Sequence, residues 1–263
     1  MILILGNTMP SSFLKLILTS SAIALLSLSA QAEVIDEVEQ TFRVSEQASF
    51  RLDNVNGSVK ISTWDKTEIH VLATITADDQ DDRENIVVDM QQTSVGVSVE
   101  TRYKEKQNWG RNSNSGKVEY VVTVPSDTTL SDIDLVNGSL TINDVKGAIN
   151  AELVNGSIKA NGLANNGEFS SVNGSIKINY DEFAKDLDRI DVETVNGSIK
   201  ISVPQSLSAT VEAETMHGSI KTDFGLVAEK NMFSGRHLSG EVGSGDIKIT
   251  MESVNGSVKL MAH

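Results

Sequence analysis

Cysteine is absent from all 263 residues. That gap removes disulfides, thiolate metal centres, cysteine nucleophiles and a lipid-modified N-terminal cysteine together. Only three prolines and 5% aromatic residues are present, so strands and turns, not rigid linkers or aromatic platforms, must build the chain. The four histidines, His70, His217, His237 and His263, show no spacing of a helical zinc motif. The Gly-x-Ser-x-Gly nucleophile elbow is missing, and no cofactor or metal site is expected. After residue 28 no apolar run approaches the ~20 residues of a bilayer-spanning helix, so no membrane span is expected in the mature chain.

What is present begins with a leader. Lys15 precedes an apolar run from Leu16 to Leu28, and Ala30-Gln31-Ala32 forms a small-x-small cleavage site. Residues 1–32 are therefore expected to be a signal peptide, leaving an exported protein that begins at Glu33, with the periplasm as destination ahead of the cell surface or secretion. Those 32 residues hold one Lys and no acid, so the remainder carries 21 basic against 36 acidic residues, a formal charge of −15. Such a balance argues against nucleic acid as a partner.

Self-comparison exposes a repeat. Val-Asn-Gly-Ser-Val-Lys-Ile at residues 55–61 recurs, nearly unchanged, from Val136, Val154, Val172, Val195, Met216 and Val254, with a worn copy around Gly243-Ser-Gly-Asp246. The central pairs are Asn56-Gly57, Asn137-Gly138, Asn155-Gly156, Asn173-Gly174, Asn196-Gly197, His217-Gly218 and Asn255-Gly256. Spacings of 18, 18, 23 and 21 residues between Gly138 and Gly218 are the mark of a stacked repeat in which each unit buries its apolar face only against its neighbours. Apolar residues alternate on both sides of each pair, which predicts strand, bend, strand. Asn-Gly readily accepts positive φ, and this is the expected cause of each bend.

Two further columns are charged. The residue four before Gly is acidic in seven of eight copies, and the residue three after it is Lys in seven of eight. In a hairpin these positions would face each other as an ion pair; in a solenoid they would form separate stacked columns, with the Asn side chains in a hydrogen-bonded ladder. The expected fold is all-β, a β-solenoid-like stack of strand repeats with Asn-Gly turns, with an antiparallel hairpin meander as the alternative. Residues 33–130 read as an N-terminal strand-rich part, with strands at 68–77, 86–90, 95–103 and 117–124 and polar loops at 78–84 and 104–116. Residues 131–263 hold the successive repeat units.

The copies Leu135-Val-Asn-Gly-Ser-Leu-Thr-Ile and Thr194-Val-Asn-Gly-Ser-Ile-Lys-Ile, the early copy running into Trp64-Asp65, and the strand end Val122-Thr-Val-Pro125 together resemble the bacterial β-strand-repeat "putative adhesin" family, also called toast-rack domains. The resemblance spans residues 38–263 and implies an exported or membrane-linked all-β repeat protein, some relatives of which sit beside envelope-stress systems. It carries no catalytic residues.

The strongest binding candidate is the loop from Arg102 to Lys117, where Arg102, Lys104, Lys106 and Arg111 surround Trp109 on an otherwise acidic protein. An exposed Trp among cations suits a sugar ring or an anionic glycan; a mobile loop with its Trp folded back is the plainer reading. The expected function is a non-catalytic scaffold or adhesin-like interaction module of the envelope, meeting an envelope protein or a glycan, and exposed end strands leave weak self-association open. Two alternatives stand: a polysaccharide-active β-helix enzyme, which would need clustered carboxylates, and an accessory of envelope-stress signalling.

Overall fold

The computed structural model describes residues 33–45, 47–104, 116–230 and 234–263. The expected leader lies outside them, as do Trp109 and Arg111. Among the described residues, no helix is long and apolar enough to cross a membrane.

Period-two patterning builds the strands. In Ile149–Asn155, the side chains of Ile149, Ala151 and Leu153 are buried while Asn150, Glu152 and Val154 face out. Such strands assemble into one sheet of ten and one of eleven. Every repeat contributes one strand to each sheet: Ile149–Asn155 belongs to the eleven-stranded sheet and Ile158–Leu163, just past Asn155-Gly156, to the ten-stranded one. The Asn-Gly pair is thus a corner between sheets. This is the solenoid arrangement, and it rules out the hairpin alternative, in which both strands would pair with each other.

Along each sheet the repeats stack in parallel and in register, Asn137 beside Asn155 beside Asn173 beside Asn196. Naming each layer by its glycine, the spatial order is Gly57, Gly138, Gly156, Gly174, Gly197, Gly256, Gly218. The layer latest in sequence, formed by Ile247–Asn255 and Val258–Ala262, is therefore inserted between its two predecessors. The core lies between the sheets, where Phe50, Leu52, Ile61, Ile142, Ile178, Ile201, Ile249 and Val258 are fully buried. Tyr120 and Tyr180 are buried too, their hydroxyls meeting Thr101 Oγ1 at 2.6 Å and the Asn165 carbonyl at 3.0 Å.

The ends are different. At the Gly57 end the antiparallel strands Val34–Arg43 and Glu68–Ala77 extend one sheet, and Gly96–Tyr103 with Ile86–Gln92 extends the other. The acidic stretch expected as a loop at 78–84 instead starts a short helix, Gln80–Asn85, because the Asp79 carboxylate accepts from the Asp82 N–H at 2.8 Å and caps it. Between Ile176–Tyr180 and Arg189–Asn196 the chain makes a turn closed by Leu187 N–H on the Ala184 carbonyl at 3.2 Å. At the Gly218 end, Arg236–Val242 runs antiparallel to Ala209–His217 and covers its edge.

The worn copy at Gly243–Asp246 is not a layer. Gly243 and Gly245, with φ of 64° and 76°, make a turn across the start of Ala209–His217, held by Ser208, whose hydroxyl meets Ser244 Oγ at 2.9 Å and Asp246 Oδ2 at 2.8 Å. Its Glu241 and Lys248 accordingly leave the charged columns.

Candidate functional site

The corners are held by three interlocking columns. In the first, Asn137 Nδ2 donates to Asn56 Oδ1, Asn155 to Asn137, Asn173 to Asn155, Asn196 to Asn173 and Asn255 to Asn196, all at 2.8–2.9 Å. The ladder ends where His217 occupies the Asn position.

The second column is the glycines, and here the expected cause of the bend is corrected. Of the seven, only Gly57, with φ of 121°, lies in the left-handed region. The other six are required by proximity: a Cβ on Gly138, Gly156, Gly174, Gly197, Gly256 or Gly218 would collide with the backbone carbonyl of the adjacent layer's glycine. Backbone hydrogen bonds continue through the corner, as from Gly156 N to Asn173 O at 3.0 Å, and hold the layers too close for any side chain at that point.

Sequence reasoning missed the third column. Three residues before the glycine in four layers, Ser171, Thr194, Ser253 and Thr215 are buried and donate their hydroxyls to the glycine carbonyls of the adjacent layers, Gly156, Gly174, Gly197 and Gly256, at 2.8–3.0 Å, while Leu135 and Leu153 hold that position in the Gly138 and Gly156 layers. Asn54 does the same work in the first layer, donating to Gly57 O and Val118 O. The signal was available: a Ser or Thr in an inward-facing strand position, recurring at the repeat period.

The outer faces carry opposite charge. On the ten-stranded sheet, Lys159, Lys177, Lys200, Lys259 and Lys221 lie side by side in five successive layers. On the eleven-stranded sheet the acids run Glu100, Asp53, Asp134, Glu152, Ser170, Glu193, Glu252, Glu214, closed by His237, whose Nδ1 lies 2.9 Å from Glu214. Apart from Glu100, paired with Arg102 at 3.5 Å, and Glu214 beside His237, no member of either ladder forms an ion pair among the described residues. Burial, and then the Glu193 and Glu214 carboxylates, push Glu252 above the usual carboxylate range; burial and Glu100 do so for Asp53, and burial and Glu152 for Asp134.

Beside the acids runs an apolar column, Val136, Val154, Val172, Val195 and Met216, each 39–53% exposed, with Val254 between the last two. Its far end deepens into a groove of about 430 Å³ lined by Val172, Val195, Val254, Met216, Glu193 and Arg236. A second hollow, of about 410 Å³, has a polar wall of Asn150, Asn166, Glu168, Asp188 and Arg189; Asn150 Oδ1 is buried there without a partner.

The expected binding loop is only partly within view. Arg102 is paired with Asp89 at 3.0 Å and Glu100 at 3.5 Å, and Lys104 Nζ donates to the Glu84 carbonyl at 3.1 Å, so both cations are tied to local partners.

The family model described as Toastrack DUF4097 matches residues 126–261, just over half of the chain. A structure from Clostridium sporogenes described as a "putative cell adhesion protein" is 13% identical, covers 87% of this chain and 100% of its own, and superposes with a TM-score of 0.52. A "putative adhesin" from Bacteroides fragilis is 15% identical over 86% of this chain and 97% of its own, with a TM-score of 0.40. At 13% identity the likeness to the first of these speaks to fold alone. No curated protein matches the chain.

Proposed function

This chain belongs to the Toastrack DUF4097 family, and we propose that it is an exported, non-catalytic protein of the bacterial cell envelope that works as an interaction or scaffold module. The observation that carries this reading is the pair of regularly spaced ladders of like charge on its two outer faces. A row of unpaired ammonium groups at about 4.8 Å intervals is a poor reaction centre but a good surface for an extended, repetitive, charged partner, because every layer adds one more equivalent contact. The leader at residues 1–32 supports export to the periplasm. The adhesion label of the Clostridium sporogenes fold neighbour points the same way.

The partner class is an envelope protein or an envelope glycan, met by the faces or by the loop carrying Trp109 and Arg111. An enzyme is the weaker reading: the acids form an even column, one per layer, as a structural repeat does, whereas glycoside hydrolysis needs a distinct pair of carboxyls that flank one scissile bond. The test is binding of residues 33–263 to an array of envelope glycans and to fractionated envelope proteins. Selective binding that weakens with salt and with Lys177→Glu/Lys200→Glu or Trp109→Ala supports the reading. Release of reducing ends or unsaturated uronides from any glycan, abolished by one Asp or Glu substitution, overturns it.

A further inference from the structure

The two outer faces are complements of each other on a single molecule. Both ladders ride on one set of layers, so they share one pitch, about 4.8 Å; in the five layers from Gly156 to Gly218 lysine stands in every layer and glutamate in four, with Ser170 in the Gly174 layer. Within those layers the lysines are accompanied on their face by Asn161, Asn179, Ser202 and Met261, with one acid, Asp223, beside Lys221 at the edge. On the other face the carboxylates stand next to valines that remain about two-fifths exposed.

We infer that the glutamate and valine columns of one molecule dock the lysine face of a second copy of this chain, with the two stacks aligned. Sign and pitch select this occupant: a second copy is the one partner already on the page whose cations repeat at the spacing of these carboxylates, layer after layer. Lysine chemistry fits the mixed surface. Lys159, Lys200, Lys259 and Lys221 each reach a carboxylate of the facing ladder and Lys177 meets the Ser170 hydroxyl, while the methylene stems lie over the neighbouring valines and take them out of water. Glu252 holds its proton more tightly chiefly because it is partly buried and then because Glu193 and Glu214 flank it; a facing lysine row offsets the carboxylate repulsion.

Because donor and acceptor faces differ, a docked pair still offers one free face of each kind. The contact is heterologous, and association is open-ended instead of stopping at a symmetric dimer. Five layers extend about 24 Å, a footprint at the small end of specific interfaces, so the association is weak. The net negative charge of the whole chain opposes it when salt is too low to screen distant repulsion, and high salt screens the ladders themselves. It should peak near 0.1 M, where the Debye length is about 10 Å.

Sedimentation of residues 33–263 over a range of concentration and salt reads this directly. The weight-average mass should rise with concentration near 0.1 M salt and fall back to monomer near 0.5 M. K177E/K200E/K259E leaves two acidic faces and E193K/E214K/E252K two basic ones, so each variant alone should stay monomeric, while an equimolar mixture should pair through the one native face each retains. If a triple variant fails to fold by circular dichroism, Lys177→Gln with Lys200→Gln should weaken association by about threefold or more. Wild-type protein that stays monomeric at every salt, association indifferent to the reversals, or a silent mixture of two folded variants overturns the inference.

Discussion

Glu193 and Lys200 flank the same corner, seven residues apart in the chain, and stand on opposite outer faces: Glu193 lies between Ser170 and Glu252, Lys200 between Lys177 and Lys259. The acid and base that recur in nearly every repeat are therefore not partners. Each is stacked on its own kind, and the cost of that repulsion is part of the protein's stability.

Partial burial of the ladder carboxylates, reinforced by their like-charged neighbours, has a pH signature. Asp53, Asp134 and Glu252 hold protons more tightly folded than unfolded, so in the window just above their ordinary values of 3.8 to 4.5 the native state binds more protons. Stability from these groups is fully present at the acidic side of that window and is lost as pH rises through the folded values. Thermal melts should show Glu252→Gln and Asp134→Asn more stable than wild type at pH 7, with the advantage shrinking towards pH 4. An advantage that grows on acidification would refute the account.

The glycine column predicts a steep contrast. Gly174→Ala drives a methyl into the carbonyl of Gly156 and should cost about 3 kcal/mol or more, in the range reserved for severe steric faults. Gly225→Ala, at φ of 75° with nothing within 4 Å, should lose only the 1–2 kcal/mol of left-handed strain. Equal losses in urea unfolding would mean that conformation, not stacking, selects these glycines.

Thr194→Val keeps shape and removes the hydroxyl that reaches the Gly174 carbonyl at 3.0 Å. The buried carbonyl loses its side-chain donor, and chemical denaturation should record a loss of about 1–3 kcal/mol. Thr194→Ser should recover most of the hydrogen-bond contribution, since Ser171 and Ser253 already serve in neighbouring layers.

Removing residues 247–263 takes out the layer between Gly197 and Gly218. Nearest-neighbour stacking then leaves Ala209–His217 with only its antiparallel neighbour Arg236–Val242. Hydrogen exchange should show protection lost across 209–222 but kept at 149–163. A synthetic 247–263 peptide added in trans should restore it; restoration of order without the peptide would contradict the layer order.

Much of this was legible from residues alone. The alternation around Asn155-Gly156 and its copies marks strands with an inward face, and period 18 marks a stack. The cause of the glycines was not legible, because an Asn-Gly pair looks the same whether the backbone needs positive φ or another backbone passes too close. Nor was the order of layers. The corner of the Gly197 unit and that of the Gly256 unit are nearly the same sequence, so nothing local says which one neighbours Gly174. The worn copy at Gly243 misleads for the related reason that Gly-Ser-Gly-Asp serves a tight turn as well as a corner. The buried hydroxyls read as ordinary strand polarity until Gly174 O and its equivalents give Thr194 and its equivalents a destination.

The inserted layer also sets a timetable. A solenoid whose layers follow sequence order can grow from one end as the chain becomes available, each turn condensing on the last. Here the strand Ala209–His217 is made before its parallel neighbour Ile247–Asn255 exists, so growth halts at the Gly197 layer until residues 247–262 arrive and intercalate. Completion of the stack is thereby deferred until residues 247–262 are available to pair with the strands on both sides.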